Sequence, residues 1–526
     1  MNGSMKAPRR FALSFVAAAL ALVPATVVAQ QAPGATKTPP VPPGTKSEAP
    51  AQLHQQVQAF SKIKIPPLPP FHPQEPKRIQ LSNGMVVFLQ EDHELPLIGG
   101  LIRIRGGSIY EPADKTGLTD IYGTVWRTGG TKTRTGDQLD DFLEARAAKV
   151  ETNANDDSTT ISFNCLKGDF NDVFPVFNEL LREPAFRQDK IDLVKRQLFG
   201  IISRRNDDVD DIAGREAVKL AYGKNNPYAR VEEYATVAAV TREDLVNWHQ
   251  KYVNPSNIIF GVYGDFDPVA MEQLIRKTFE SWPAGTRAEE PNVNFDPAKP
   301  GLYFIAKEDV DQSSIQMVGL GINRKNPDFY AVTVMNEIVG GGFASRLFKN
   351  LRSKLGLAYS VGGGVGTAWD HPGMDDFSAA TKSATTKEMI VGLKHELNDL
   401  LVDPPTPEEM KNAKDSILNS FVFNFDSKQK VLAEKMRYEF YGYPLDFLDT
   451  FRTQIEKVTI EDVNRVAKKY VHPDDYPTLV VGNSTEIGNQ LTSLGPVTPI
   501  DITIPPPPGR PAPGAPGAAR QQPPSE

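Results

Sequence analysis

One stretch of this chain is framed by glycines: Gly117-Leu118-Thr119-Asp120-Ile121-Tyr122-Gly123-Thr124-Val125-Trp126-Arg127-Thr128-Gly129-Gly130-Thr131. It opens on a Gly-Leu pair and closes on a Gly-Thr pair. Taken alone, the stretch is typical of an ordinary amphipathic helix between two glycine stops.

The frame of this stretch resembles the active-site helix of the pitrilysin/insulinase metallopeptidases. That family carries an inverted zinc motif, H-x-x-E-H, between its Gly-Leu and Gly-Thr pairs. Here Asp120 stands where the first zinc histidine would be, Gly123 replaces the general-base glutamate, and Thr124 replaces the second histidine. One carboxylate and one hydroxyl cannot supply the three ligands that catalytic zinc needs. Gly123 has no side chain to take the proton of an attacking water.

The resemblance also implies a third zinc ligand, a glutamate on a later helix. The matching stretch runs from Lys195 to Arg205, with Ile202 near the ligand position, and it contains no Glu, Asp or His. Because the ligands and the base are all missing, we predict a subunit with the peptidase fold, no metal or cofactor of its own, and no catalytic activity alone.

Composition is that of a soluble globular chain of more than one domain: 526 residues, 40% hydrophobic and 23% charged. The net charge of −7 gives no basic footprint for nucleic acid. The single cysteine, Cys165, excludes an intrachain disulfide and lies in an alternating strand pattern, so we expect it to be a packing residue.

Residues 1–29 have the pattern of a secretory signal peptide. A positive segment with Lys6 and Arg9 precedes the apolar run from Phe11 to Val23, and Val27-Val28-Ala29 forms a cleavage pattern. Export without disulfides predicts a periplasmic protein. The alternative is a chain anchored to the inner membrane by an uncleaved signal.

An internal repeat predicts two homologous domains. Val240-Thr241-x-Glu243-Asp244 recurs as Val458-Thr459-x-Glu461-Asp462, and Lys251-Tyr252-Val253-x-Pro255 recurs as Lys469-Tyr470-Val471-x-Pro473. The spacing of the two copies is the same throughout, so no gap is needed. Short strands mixed with longer helices predict an α+β fold of two α/β sandwich domains, and the resemblance implies the clam-like half of the pitrilysin/insulinase and mitochondrial processing peptidase type.

The predicted organisation of the whole chain follows from these features and from the Pro-rich stretches. We predict a signal peptide (1–29), a Pro-rich flexible segment (30–75), an N-terminal peptidase-like domain with a degenerate zinc site (76–283), a linker (284–300), a C-terminal peptidase-like domain (301–495) and a disordered Pro-rich tail (496–526).

A second signature lies in the C-terminal domain: Gly340-Gly341-Gly342-Phe343-Ala344-Ser345-Arg346-Leu347-Phe348, followed by Leu351-Arg352-Ser353-Lys354-Leu355-Gly356-Leu357-Ala358-Tyr359. Ser345 can cap a helix that runs to Leu355. The stretch resembles the family's second-domain signature, whose Arg and Tyr reach toward the zinc of the first domain. The resemblance therefore implies that Arg352 and Tyr359 position substrate and support the transition state in a partner's site.

A further resemblance concerns Asn153-Ala154, which match an Asn-Ala stretch that forms a sheet edge beside the substrate in the family. We therefore expect Asn153 and Ala154 to lie on an edge strand that binds unfolded peptide.

The favoured function is a non-catalytic, substrate-binding subunit of a heteromeric zinc metalloendopeptidase that degrades or processes peptides. A zinc-bearing family member would be the partner, in a heterodimer or larger assembly. Two alternatives stay open: a non-enzymatic periplasmic peptide-binding or scaffolding protein, and an accessory subunit in the maturation of a peptide-derived cofactor.

Overall fold

A computed structural model describes residues 73–509 of the chain. The predicted signal peptide and nearly all of the Pro-rich segment lie outside the described residues. Residues 74–509 belong to one compact unit. No helix within residues 73–509 has both the length and the apolar composition needed to cross a membrane.

The first half of the fold is a six-stranded mixed sheet with its helices, in the sheet order β1-β2-β6-β3-β5-β4. The strands are β1 Lys77–Gln80, β2 Val86–Glu91, β3 Leu97–Arg105, β4 Lys149–Ala154, β5 Ser158–Leu166 and β6 Ile258–Gly264. The helices are α1 Leu118–Thr128, α2 Gly136–Glu144, α3 Phe170–Arg182, α4 Gln188–Arg204, α5 Val209–Tyr222, α6 Tyr234–Ala239, α7 Arg242–Tyr252 and α8 Pro268–Phe279.

The second half repeats this plan with the sheet order β10-β12-β8-β13-β7-β14. Its strands are β7 Gly301–Ala306, β8 Gln312–Leu320, β9 Ile322–Asn323, β10 Ala358–Gly364, β11 Thr367–Ala368, β12 Met374–Lys382, β13 Pro477–Gly482 and β14 Val497–Pro499. Its helices are α9 Phe329–Val339, a π-helix Phe348–Lys354, α10 Thr386–Val402, α11 Pro407–Phe421, α12 Lys428–Tyr441, α13 Phe447–Lys457, α14 Ile460–Tyr470 and α15 Ser484–Ile487. The prediction of two homologous α/β sandwich domains is therefore confirmed.

The repeated helix start has the same local cause in both halves. The Thr241 hydroxyl accepts a hydrogen bond from the amide of Asp244, and Thr459 does the same with Asp462. Each aspartate in turn accepts from the threonine amide, which completes a capping box at α7 and at α14.

The two halves exchange helices across their sheets. Helix α5 leaves the first half and packs on the second sheet, where Ala217 and Leu220 lie in one buried cluster with Leu479. Helix α12 leaves the second half and packs on the first sheet through Met436 and Phe440. Each sheet thus buries one face against its own helices and the other in part against a helix of the opposite half.

The predicted disordered tail from residue 496 is wrong for residues 497–504. Strand β14 pairs with β7 in parallel, and Ile500 and Ile502 pack against the cluster around α5. Alternating apolar residues in this stretch bury one side against the fold despite the high proline content. The second sheet therefore extends beyond the predicted domain end at 495, whereas the first sheet lies within 76–283. Residues 284–300 contain no helix or strand.

The exchanged helix α12 gives a test of how strongly the halves depend on each other. Met436 is 2% exposed, and its sulfur would lie 2.3 Å from a Cβ added at Gly261, so the glycine permits the close approach of helix and sheet. We expect Met436→Ala to lower the free energy of unfolding by about 2–5 kcal/mol, because a cavity forms between the halves.

The measurement is urea unfolding followed by tryptophan fluorescence and by far-ultraviolet circular dichroism. Val391→Ala is the control, since Val391 is 48% exposed and its truncation should leave stability nearly unchanged. Equal stability of the Met436 and Val391 variants would contradict the burial of helix α12 against the first sheet.

Candidate functional site

Helix α1 begins at a buried carboxylate that the sequence analysis missed. The Glu111 side chain accepts hydrogen bonds from the amides of Gly117 (3.0 Å) and Thr119 (2.6 Å) and from the Thr119 hydroxyl. It thereby satisfies amides at a helix start where Gly117 offers no side chain. Burial raises the pKa of Glu111, against the effect of these hydrogen bonds. Because Glu111 lies several residues before the helix, no local capping pattern reveals it.

The positions of the lost zinc ligands are distributed between the surface and the core. Thr124 is exposed, Gly123 is buried, and Ile202 is 3% exposed within the main core of the first half. Asp120 lines a cavity of about 170 Å³ together with Asp156 and Tyr228. Burial raises the pKa of Asp156, which accepts a hydrogen bond from Ser108. The cavity therefore holds carboxyl and phenol groups but no imidazole or thiol.

These residues do not fit a catalytic zinc ion. The third-ligand position is apolar, and the general-base position has no side chain. Within residues 73–509, no group of three or more His, Cys, Asp or Glu side chains is placed to hold a metal ion. The chemistry of the donors thus excludes the family's zinc centre at this site.

Gly123 has become a packing position against the edge of the first sheet. A Cβ added there would lie 2.9 Å from the amide nitrogen of Ala154 and 3.0 Å from its Cβ. The Thr152 hydroxyl donates to the carbonyl of Gly123 at 2.6 Å. The strand β4 is the edge of the sheet, as expected for Asn153 and Ala154, and helix α1 lies directly against it.

Arg127, at the C-terminal end of α1, extends this contact along β4. Its Nε donates to the carbonyl of Val150 at 2.8 Å, and its guanidinium forms an ion pair with Asp140 at 2.5 Å. The amide of Asn155 donates to the carbonyl of Ser158, so the backbone groups of Asn155 face β5. Because residues alternate in an antiparallel pair, the backbone groups of Val150, Thr152 and Ala154 point outward, away from β5. Arg127 therefore occupies one backbone position that an added strand would use. Arg127 could not be identified from the sequence, because nothing local indicates its long-range partner.

His249 fills the space behind α1. It is 8% exposed, and its Nδ1 lies 2.9 Å from the Tyr122 hydroxyl. Burial lowers the pKa of His249 to about 3, against a hydrogen bond with the Leu181 backbone. His249 is therefore a packing residue behind the helix, and its imidazole is neutral at physiological pH.

The second-domain signature lies on the surface. Phe348–Lys354 form a π-helix, and the amide of Phe348 donates to the Ser345 hydroxyl at 3.4 Å. The helix predicted to run from Ser345 to Leu355 is therefore shorter than predicted, and its turns are wider than those of an α-helix. The Arg352 guanidinium stacks over the Phe348 ring at 4.9 Å. Tyr359, on the edge strand β10, is 48% exposed. Neither side chain forms a hydrogen bond or ion pair with the other, or with any group in the described part of the chain.

Comparisons with known proteins agree with this geometry. Residues 87–221 match the family "Insulinase (Peptidase family M16)", and residues 239–417 match "Peptidase M16 inactive domain". The "Non-peptidase homolog YmxG" of Helicobacter pylori is 23% identical over 403 residues, 76% of this chain and 91% of that protein. The "Uncharacterized zinc protease YmxG" of Bacillus subtilis is 21% identical over 414 residues, 78% of this chain and 98% of that protein.

Solved structures show the same fold. The peptidase M16 inactive domain from Pseudomonas fluorescens superposes with a TM-score of 0.69 at 22% identity, over 78% of this chain and 98% of that chain. A protease from Helicobacter pylori superposes with a TM-score of 0.66 at 19% identity, over 78% of this chain and 100% of that chain. Fold and site together define a peptidase-like protein without the zinc ligands of an enzyme. The chain belongs to peptidase family M16, the insulinase family.

A first prediction from the site concerns restoration of the zinc motif. We expect the triple variant Asp120→His, Gly123→Glu, Thr124→His to bind no stoichiometric zinc and to cleave no peptide, because Ile202 leaves the third ligand missing. It should also melt at a lower temperature than the wild type, since a side chain at position 123 collides with β4.

Metal analysis, a chelator-sensitive peptidase assay and thermal melting make this measurable. The single variant Thr124→His keeps Asp120 and Gly123 and should melt close to the wild type, because Thr124 is exposed. Strong, chelator-sensitive cleavage by the triple variant would show that the ligand helix is misassigned.

A second prediction concerns pH. The folded state keeps His249 neutral down to about pH 3, whereas the unfolded chain takes up the proton near its ordinary pKa of about 6.5. Stability is therefore lost as the pH falls below about 6.5, at roughly 1.4 kcal/mol per pH unit from this group. Between pH 7 and pH 5 the wild type should lose about 2 kcal/mol more than His249→Gln.

Denaturant unfolding at the two pH values, for both proteins, gives this difference directly. Other buried carboxyl groups contribute equally to both proteins and cancel in the comparison. The same pH dependence in wild type and variant would contradict a neutral, buried His249.

Proposed function

We propose that this chain is the non-catalytic, substrate-binding subunit of a heteromeric zinc metalloendopeptidase of the M16 family. The partner is a zinc-bearing family member that holds the complete H-x-x-E-H motif. The positive segment and apolar run at the N-terminus support export to the periplasm as part of the same proposal. The substrate is an unfolded peptide.

The observation that carries the proposal is the contrast between the two halves. In the first half, Gly123 and Ile202 have become packing residues. In the second half, Arg352 on the π-helix and Tyr359 on the edge strand β10 are both exposed, and their polar groups form no hydrogen bond or ion pair within residues 73–509. A surface of this kind supports binding in trans, because its donors are available to a ligand.

The chemistry available to each side chain is specific. Arg352 carries several fixed N–H donors that suit the carbonyl groups or a carboxylate of a peptide. The Tyr359 hydroxyl can donate to an oxyanion that forms on the peptide in the partner's site. The zinc of the partner would supply the activated water. This chain would position the peptide and stabilise developing negative charge.

Reconstitution with a zinc-bearing partner tests the proposal. We expect Arg352→Ala and Tyr359→Phe each to lower turnover, the tyrosine change by on the order of 100-fold if its hydroxyl serves the oxyanion. Melting temperatures should stay near that of the wild type, because both side chains are exposed and Phe keeps the ring. Assembly, measured by size-exclusion chromatography, should be intact.

Two matched variants serve as controls. Arg452→Ala removes an exposed arginine on α13, and Tyr303→Phe removes a hydroxyl that donates to the Lys299 carbonyl. Both should leave turnover unchanged. Full turnover in the Arg352 and Tyr359 variants, with assembly intact, would favour a scaffolding protein or an accessory subunit in cofactor maturation instead.

A further inference from the structure

The segment around Arg352 is unusual in its charge. Between Glu337 and Asp370 the chain contains four basic residues and no acidic one, although the net charge of the whole chain is −7. Arg346 is neutralised by Glu409 at 2.8 Å. The other three, Lys349, Arg352 and Lys354, are exposed and form no ion pair within residues 73–509. A local positive field therefore stands on a protein that is acidic overall.

The same segment exposes large apolar side chains. Phe343 is 80% exposed, Leu355 is 62% exposed and Tyr359 is 48% exposed. The Phe343 ring packs edge-on against Phe348 at 4.9 Å, and Arg352 lies over the Phe348 ring. Exposed apolar groups gathered beside charges are typical of a binding surface, because a ligand that covers them removes apolar area from water.

The local backbone supports this arrangement. The amide of Leu355 donates to the carbonyl of Asn350, one of the i to i+5 bonds of the π-helix. Residues five apart in such a helix lie on the same side, so Lys349 and Lys354 project from one side of it. π-helical turns are frequent at functional sites because they are less stable than α-helix and place side chains differently.

We propose that this basic-apolar surface, formed by Phe343, Lys349, Arg352, Lys354, Leu355 and Tyr359, selects extended peptides that carry acidic side chains next to bulky apolar ones. The inference rests on the proposed function and adds the class of its substrate. Carboxylates complement the three cations, which have no ion-pair partner within residues 73–509 although the Lys354 ammonium donates to Asn350 Oδ1 at 2.8 Å, and an apolar residue covers Phe343 or Leu355. The edge strand β10 offers backbone groups to an extended chain beside Tyr359. A basic peptide is repelled by the same cations.

The experiment uses the enzyme reconstituted with its zinc-bearing partner and three peptides of equal length that share the same apolar residues. One carries glutamates beside them, one carries lysines, and one carries serines. We expect kcat/KM to follow the order glutamate, serine, lysine, with a difference of roughly 10-fold or more between the ends at low salt, and to converge at high salt as the charges are screened.

The decisive variants are Lys349→Glu and Lys354→Glu, singly and together, since they leave Arg352 and Tyr359 in place. They should lower kcat/KM for the glutamate peptide, raise it for the lysine peptide and leave the serine peptide nearly unchanged. Phe343→Ser should weaken all three peptides equally, through KM. Lys468→Glu, at an exposed lysine of α14, is the matched control and should change none of the ratios.

The outcomes separate this inference from the function on which it rests. Equal kcat/KM for the three peptides, or ratios that the lysine variants do not alter, overturns the substrate class. If Arg352→Ala still reduces turnover in that case, the proposed subunit function stands. If Lys468→Glu changes the kcat/KM ratios among the three peptides as much as the Lys349 and Lys354 variants do, the effect comes from net charge in general. That result would overturn the assignment to this surface.

Discussion

The structure depends on the burial of two exchanged helices, α5 on the second sheet and α12 on the first. Their contacts are apolar, and packing at Gly261 is so close that an added Cβ would lie 2.3 Å from the Met436 sulfur. Apolar burial has no direction of its own, so the exact fit comes from side-chain shape at these contacts. Polar groups then fix the relative position: Asp157 accepts from Arg103 of its own half and from Tyr441 of α12. The degenerate site and the basic-apolar surface consequently belong to a single compact body.

Much of the architecture could be predicted from the sequence because it has local causes. The capping boxes at Thr241 and Thr459 are set by side chains three residues apart. The placement of Asn153 and Ala154 on an edge strand came from a resemblance and not from local physics. Strand β14 could not be predicted, since a Pro-rich stretch gains its strand conformation only from the free edge of β7. Arg127 and Glu111 have partners that are distant in the chain or lie outside any capping pattern.

The loss of the zinc site involves more than missing ligands. With Gly123 in place of a glutamate, helix α1 and strand β4 approach to van der Waals contact. Arg127 then bonds to the carbonyl of Val150, and Asp140 balances its charge. Ile202 completes the apolar packing from α4. The position that holds metal and water in a peptidase of this family is here stabilised by packing, so a return to metal binding requires the backbone to move as well as the ligands to change.

The second half has not undergone the same change. If Arg352 and Tyr359 were structural residues, Arg352 would end its helix in a salt bridge and Tyr359 would lie in the core. Instead, the guanidinium lies over Phe348 without an anionic partner in the described chain, and Tyr359 is half exposed. Burial and ion pairing are the means by which such side chains stabilise a fold, and the structure uses neither here. The polar groups of Arg352 and Tyr359 are therefore available to a ligand, and this availability is the physical basis of the function that we propose for the second half.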